Sequence, residues 1–266
     1  MQGRVLIVAG SDSGGGAGIQ ADLKAVTALG AFGATAITAL TAQNTRGVFG
    51  VFPVPPAFLA QQMSLVLEDI GADAIKTGML HSAEVIDVVA EVHERLAKDV
   101  PLVVDPVMVA KGGAPLLLPE AREALVGRLL PRATLITPNL PEAEVLSGQT
   151  IDSVAAMRRV AAALLALGPK AVLLKGGHLE GPKVTDVLVT AAGERLFEDD
   201  RIETTSTHGT GCTLASAIAA GIAQGLGVEA AITRARRYLR LAIQEAPGLG
   251  HGHGPLNHAV TVAPFD

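Results

Sequence analysis

The 266-residue chain has no tryptophan, one tyrosine and one cysteine, and aromatic residues make up only 3% of it. So small an aromatic inventory leaves no stacking platform interleaved with Lys and Arg, and no basic run supplies the footprint of a nucleic-acid partner. The net charge of −5 points the same way. A lone cysteine cannot close an intrachain disulfide, which fits a reducing, cytoplasmic setting. Nowhere do about 18 apolar residues follow one another, so no membrane span is expected. The opening stretch MQGRVLIVAGSDSGGG holds an apolar run too short for a secretory signal and meets glycines at once, so it reads as a first buried strand. The densest basic cluster, Arg234, Arg236, Arg237 and Arg240, is expected on the solvated face of a helix.

What is present is a large apolar fraction, 49%, enough to bury a sizeable core. Short β-branched runs at 4–9, 34–42, 72–77, 102–105, 134–137 and 171–175 read as strands. Between and after them lie helical stretches at 18–29, 56–70, 82–98, 119–130, 141–146, 153–167, 210–224 and 228–246. In the third of these, Val85, Val88, Val89, Val92 and Leu96 recur at helical spacing. Residues 47–54 read as an edge strand or flap, and 183–190 with 194–198 as a hairpin. Strands separated by helices imply βαβ units, and so an α/β fold with a mostly parallel central sheet covered by helices on both faces. No linker or internal repeat divides residues 1–266, so one domain is expected. In such sheets ligands bind beyond the C-terminal ends of the strands. The residues there are polar: Gly10-Ser11-Asp12, Gln43-Asn44, Lys76-Thr77, Asp105, Asn139 and Lys175.

Four motifs carry candidate chemistry. Gly10 to Gly18 is a glycine-rich turn between a strand and a helix. It lacks the Gly-Lys-Ser/Thr of a phosphate loop and the last glycine of the dinucleotide fingerprint, where Ile19 stands. It is either a sharp turn or a ligand loop, and the four clustered glycines with Asp12 and Asp22 favour the loop. Thr207-His208-Gly209-Thr210-Gly211-Cys212-Thr213 opens a small-residue helix, where Gly209 and Gly211 would leave amides free for a transferring phosphoryl group. Cys212 in that first turn is expected to have a lowered thiol pKa and to act as base or nucleophile, against the alternative of an inert buried thiol. Asn139 and Glu142, three apart, suit either Mg²⁺ with its waters or a helix capping box. Lys175-Gly176-Gly177-His178, after a strand, suits either a phosphate contact or a loop with an exposed lysine, and Lys111-Gly112-Gly113 is a weaker version. The run Gly250-His251-Gly252-His253-Gly254, with His258, lacks Cys or acidic partners for a metal and reads as a flexible tail.

As an ordered set these motifs resemble the hydroxymethylpyrimidine and phosphomethylpyrimidine kinases of thiamin biosynthesis. The resemblance runs from Ala9–Lys24 through Thr38–Thr45, Lys76–Leu80, Asp105–Met108, Thr137–Glu142 and Lys175–His178 to Thr207–Thr213. It implies a ribokinase-like fold, usually homodimeric, that uses ATP and Mg²⁺. The implied reaction phosphorylates 4-amino-5-hydroxymethyl-2-methylpyrimidine, then converts its monophosphate to the diphosphate in the same site. By the same resemblance Gly10, Asp22, Gln43 and Met79 line the pyrimidine pocket and Val107 packs on the ring. Asn139 and Glu142 position Mg²⁺ with Asp105 nearby. Lys175, His208 and Thr210 join them on the nucleotide side, while Cys212, Gly209, Gly211 and Lys175 carry the transfer. Sugar kinases of the broader class have an aspartate base where this chain has Cys212, which narrows the assignment to the pyrimidine kinases. Two alternatives stand beside it: a pyridoxal, pyridoxine or pyridoxamine kinase, and a non-catalytic ligand sensor on the same fold.

Overall fold

The computed structural model describes residues 1–109, 113 and 116–263, so Lys111 and Gly112 of the weaker lysine–glycine pair lie outside the described residues. In chain order the elements begin with β1 (Arg4–Ala9), α1 (Gly18–Ala28), β2 (Phe32–Ile37), β3 (Ala39–Asn44) and β4 (Gly47–Pro53). They continue with α2 (Pro56–Asp69), β5 (Ala74–Thr77), α3 (Ala83–Leu96), β6 (Leu102–Val104) and α4 (Ala121–Ala124). Then come β7 (Leu135–Ile136), α5 (Leu140–Ser147), α6 (Val154–Leu165) and β8 (Ala171–Leu174). The hairpin β9 (Lys183–Thr190) and β10 (Gly193–Asp200) precedes α7 (Thr210–Ala223) and α8 (Val228–Gln244).

Eight strands form one sheet in the order β10-β9-β8-β7-β6-β5-β1-β2. From β2 to β8 the pairing is parallel, and the β9–β10 hairpin closes the far edge antiparallel. Side chains of a strand alternate between its two faces, and the packing follows that alternation. Leu6 and Val8 of β1 join one core with Ile75, Leu102, Val104 and Ile136, under α2, α3, α5 and α6. Val5, Ile7 and Ala9 join the other with Val103, Leu135 and Leu173, under α1, α7 and α8. The result is the expected α/β sandwich of helices on both faces. Among the described residues, no helix is long and apolar enough to cross a membrane.

Three sequence expectations are corrected. The strand expected over 34–42 breaks at Thr38, because its neighbour β1 ends at Ala9 and the chain turns away there. Thr38 donates its N–H to the Ala9 carbonyl (3.1 Å) and its hydroxyl to the Met79 carbonyl (2.7 Å). Beyond it, β3 pairs with β4 as a separate two-stranded flap. The arginine cluster is not a plain solvated face: Arg236 is buried and paired with Asp186 and with Asp199 (2.6 Å). The Gly/His run is not a loose tail either. Gly254, Leu256 and His258 are buried, and among the described residues no group of three or more His, Cys, Asp or Glu is arranged to hold a metal.

Candidate active site

The polar strand ends converge on one cavity of about 730 Å³. Its walls are Gly10 and Ser11 after β1, Met79 after β5, Asp105 and Val107 after β6, and Asn139 and Glu142 at the start of α5. Lys175 after β8, the segment His208–Cys212 and, from the flap, Thr41 and Gln43 line it too. So do Arg201, Ile202, Thr204 and Ile243, which carried no motif, and Arg236 and Arg240 of the basic cluster expected at the surface.

Asp22 does not line the cavity, which corrects the expectation that it touches the pyrimidine. Helix α1 carries it inward, where it is wholly buried. It accepts Lys76 Nζ on both carboxylate oxygens (2.9 and 2.8 Å) and the Ser216 hydroxyl (2.6 Å). Lys76 is also wholly buried. Burial opposes its charge, but Asp22, Cys212 and Asp105 together hold the ammonium above the ordinary lysine value. The sequence signal for this pair was a lysine inside the buried strand Ala74–Thr77. A charge there requires a buried partner.

A second pair reaches the cavity. Lys175 Nζ donates to Asp105 Oδ1 at 2.9 Å, and Thr137 Oγ1 donates to the same oxygen at 2.9 Å. Burial pushes the Asp105 carboxyl up, yet Lys175, Lys76 and Thr137 bring it below its ordinary value. Lys175 is likewise held charged, chiefly by Asp105 and Glu142 against the cost of burial.

The glycine-rich loop is closed on itself. Asp12 accepts the amides of Gly14 (2.7 Å), Gly16 (3.0 Å) and Ala17 (2.7 Å) on its side chain, and that of Gly15 (2.9 Å) on its carbonyl. Those four donors are spent within the loop, so it shapes the wall and does not cradle an anion. His208 Nε2 lies 2.8 Å from Asp12 Oδ2 and ties the loop to the start of α7.

Free donors lie at α7 instead. Gly209 stands at φ +79° before the helix, where a Cβ would strike the Gly16 carbonyl oxygen, so only glycine fits. No side chain caps this end. The first intrahelical bond runs from Thr213 N–H to the Gly209 carbonyl (2.9 Å). The amides of Thr210, Gly211 and Cys212 therefore precede the ladder at the positive end of the helix. A Cβ on Gly211 would lie 3.2 Å from Lys175 Nζ and 3.6 Å from Asp105 Oδ2, so the accessible lysine abuts this helix start.

The Cys212 thiol is not lowered, contrary to expectation. Burial pushes it up to about 11; Lys76 and the Gly18 amide pull it down, while Asp22 and Asp105 push it further up. Desolvation outweighs the helix terminus, and the thiol keeps its proton at neutral pH.

Asn139 and Glu142 form a complete capping box for α5. Asn139 Oδ1 accepts the Glu142 amide (2.9 Å) and Glu142 Oε2 accepts the Asn139 amide (2.8 Å). The amide oxygen of Asn139 thus gives one of its two lone pairs to the cap. Burial raises the Glu142 carboxyl to about 7; Lys175 lowers it and Asp105 raises it. Two acids that repel each other at the wall of the cavity suit a divalent cation, whose charge relieves the repulsion. Glu142 and Asp105 fit Mg²⁺ with its waters, and Asn139 fits the part of holding Glu142 in place.

The comparisons with known proteins follow the same lines. Residues 12–257 match the family model described as phosphomethylpyrimidine kinase. The hydroxymethylpyrimidine/phosphomethylpyrimidine kinase of Streptomyces coelicolor is 50% identical over 254 residues, covering 96% of this chain and 93% of that protein. A thiamine biosynthesis bifunctional protein of Geobacter sulfurreducens is 55% identical over 97% of this chain, which spans only 52% of that longer protein. The structure of pyridoxal kinase from Staphylococcus aureus in complex with AMP-PCP and pyridoxal superposes with a TM-score of 0.89 at 35% identity, covering 98% of this chain and 94% of that one.

Proposed function

The chain belongs to the phosphomethylpyrimidine kinase family, and from that premise we propose that it uses ATP to phosphorylate 4-amino-5-hydroxymethyl-2-methylpyrimidine and then its monophosphate. The observation that carries the reading is the uncapped α7 start beside Lys175: three amides and an ammonium converge where a phosphoryl group would pass. The family relatives at 50% and 55% identity support the pyrimidine as acceptor. The AMP-PCP in the relative's structure, an analogue of ATP, supports ATP as donor.

In this reading Gln43 and Met79 hold the ring on the flap side, with Gln43 offering both donor and acceptor to an aminopyrimidine edge. Val107 packs against the ring and Gly10 allows its close approach. Lys175 and the amides of Thr210, Gly211 and Cys212 hold the transferring phosphoryl group. His208 and Thr210 shape the nucleotide side, and Asn139 fixes Glu142. Glu142 and Asp105 would hold Mg²⁺ with its waters, and the ion would supply charge neutralisation for the nucleotide phosphates. In the first phosphorylation Cys212 takes the proton of the attacking hydroxyl. It does so as thiolate, so turnover through it rises with pH. The second phosphorylation, onto an ionised phosphate oxygen, needs no such base.

Three arms of one experiment test this. Purified protein is incubated with ATP and Mg²⁺ together with hydroxymethylpyrimidine, its monophosphate or pyridoxal in turn, and products are identified by mass spectrometry. Diphosphate formed from the monophosphate is the expected result. Pyridoxal 5′-phosphate alone would overturn the pyrimidine reading in favour of the B6 alternative, which the pyridoxal-bound relative keeps specific. No turnover with any acceptor would favour a sensor.

A homodimer is part of the same proposal. Phe32, Phe49, Phe52 and Phe58 are exposed at 40%, 73%, 68% and 56%, all within β2, β4 and the start of α2. So many exposed aromatics in an aromatic-poor chain suit a protein contact. Sedimentation of the wild type against Phe49→Ser/Phe52→Ser tests it: a dimer that becomes a monomer supports the contact, and a monomeric wild type contradicts it.

A further inference from the structure

The Gly/His run is the motif that the kinase reading leaves unused, yet it is built into the site. Its root is fixed on the helices behind the cavity. His258 lies 2.9 Å from the Thr213 hydroxyl of α7, its carbonyl accepts the Tyr238 hydroxyl of α8 (2.9 Å), and Asn257 donates its N–H to the Ala242 carbonyl (3.0 Å). From there residues 250–255 run past the start of α7. His208 N–H donates to the Gly254 carbonyl (3.1 Å), and His208 pairs with Pro255 as a short parallel bridge. The run then reaches the turn of the flap.

At that turn one residue receives almost every contact. The Thr45 hydroxyl accepts the amides of His251 and Gly252 (both 3.2 Å), and the Thr45 carbonyl accepts the amide of His253 (2.9 Å). Gly252 passes so close that a Cβ there would collide with the Thr45 carbonyl oxygen. Thr45 lies two residues beyond Gln43, where the β3–β4 register shifts. On its other side Gln43 is held by Ser13, whose hydroxyl donates to the Gln43 carbonyl (2.9 Å) and accepts its amide (3.0 Å). Gln43 thus sits between two anchors, the glycine-rich loop and the strap.

We propose that Thr45 is a positioning residue: through residues 250–254 it ties the flap that carries Gln43 to the His208 segment at the phosphate end of the cavity. The two halves of the site are then set by one strap, and loss of the Thr45 hydroxyl frees the flap without touching the bound ring. An isolated two-stranded hairpin is marginally stable, so its external anchors, Ser11 and Ser13 at one side and the strap at its turn, together set how often Gln43 faces the cavity.

The inference rests on the pyrimidine kinase reading for its kinetic arm only. Thr45→Val deletes the acceptor of two amides while keeping shape, and Thr45→Ser restores it. The expected result for Thr45→Val is a KM for hydroxymethylpyrimidine raised about five- to tenfold, the low end for the loss of two hydrogen bonds because both are exposed and the freed amides reach water. The KM for ATP should stay within about twofold, and Thr45→Ser should return to wild type. Hydrogen exchange at residues 39–53, which needs no activity, should quicken in Thr45→Val and not in Thr45→Ser. Gly252→Ala, which pushes the strap off the turn, should reproduce both effects. Unchanged flap exchange in Thr45→Val would overturn the proposal, as would a fall in kcat at unchanged KM shared by Val and Ser variants. A wild type with no kinase activity would overturn the functional reading alone, since the exchange arm still reports on the strap.

Discussion

Two lysine–aspartate pairs stand near the start of α7, and they differ in depth. Lys76 and Asp22 are both wholly buried, bonded to each other through both carboxylate oxygens, and closed off by Ser216. Lys175 and Asp105 meet at nearly the same distance, but Lys175 keeps 14% of its side chain exposed to the cavity. The deep pair has no route to a substrate, so its charges act only through space, on Cys212 among others. The shallow pair can exchange partners, because a phosphate arriving at Lys175 competes with Asp105. Identical chemistry one layer apart therefore divides into a fixed internal charge and a working one.

Breaking the deep pair should produce the largest effect. Lys76→Met leaves the Asp22 carboxylate unpaired where burial already raises its pKa, and the desolvated charge, or the proton it must take up, is expected to cost up to about 3–5 kcal/mol of unfolding free energy. Adding Asp22→Asn should recover much of that loss, because the orphaned charge and not the missing bond is what costs. Urea denaturation of the single and double variants measures both numbers. A single variant as stable as wild type would mean that water reaches the pair.

Next comes the thiol between the pairs. Cys212→Ala is expected to lower kcat for the first phosphorylation about 10²–10⁴-fold, the range for a lost general base, with ATP affinity nearly unchanged. The wild-type kcat should climb with pH through the neutral and alkaline range, since the thiol is pushed up to about 11. The variant should lose that climb. Turnover of Cys212→Ala at the wild-type rate would remove Cys212 as base.

The most pH-dependent effect concerns Glu142. Its carboxyl rises from 4.5 to about 7 on folding. The folded chain then holds that proton more tightly than the unfolded one, so its contribution to stability falls as pH rises from about 4.5 to about 7. Glu142→Gln should therefore gain stability relative to wild type across that window, read from urea midpoints at pH 5 and pH 8. A constant difference between the two would show that the carboxyl is not raised.

The strand–helix alternation was legible because β-branched runs and helical periodicity are local properties, and Val85, Val88, Val89, Val92 and Leu96 needed no partner to be read. The break at Thr38 was not, since it depends on where β1 stops. Of the site, Gly10, Gln43, Met79, Val107, Asp105, Asn139, Glu142, Lys175 and the His208–Cys212 segment come together at one cavity. Asp22 and the Cys212 thiol misled for one reason: burial depth cannot be read from a motif. A carboxylate looks alike at a pocket wall and beneath it, and a helix start suggests a low thiol pKa until desolvation is counted. The strap was missed because glycines and histidines look unstructured until the flap turn that receives their amides is in view.

The most direct test of the division between the pairs compares Lys175→Met with Lys76→Met/Asp22→Asn in one assay, the conversion of the pyrimidine monophosphate to the diphosphate, at a temperature where both are folded. Removing a donor aimed at transition-state charge costs about 10²–10³-fold in kcat, and that loss is expected for Lys175→Met. The doubly neutralised deep pair should stay within about tenfold of wild type. The reverse order, with Lys175→Met nearly intact and the deep pair essential to turnover, would contradict the account.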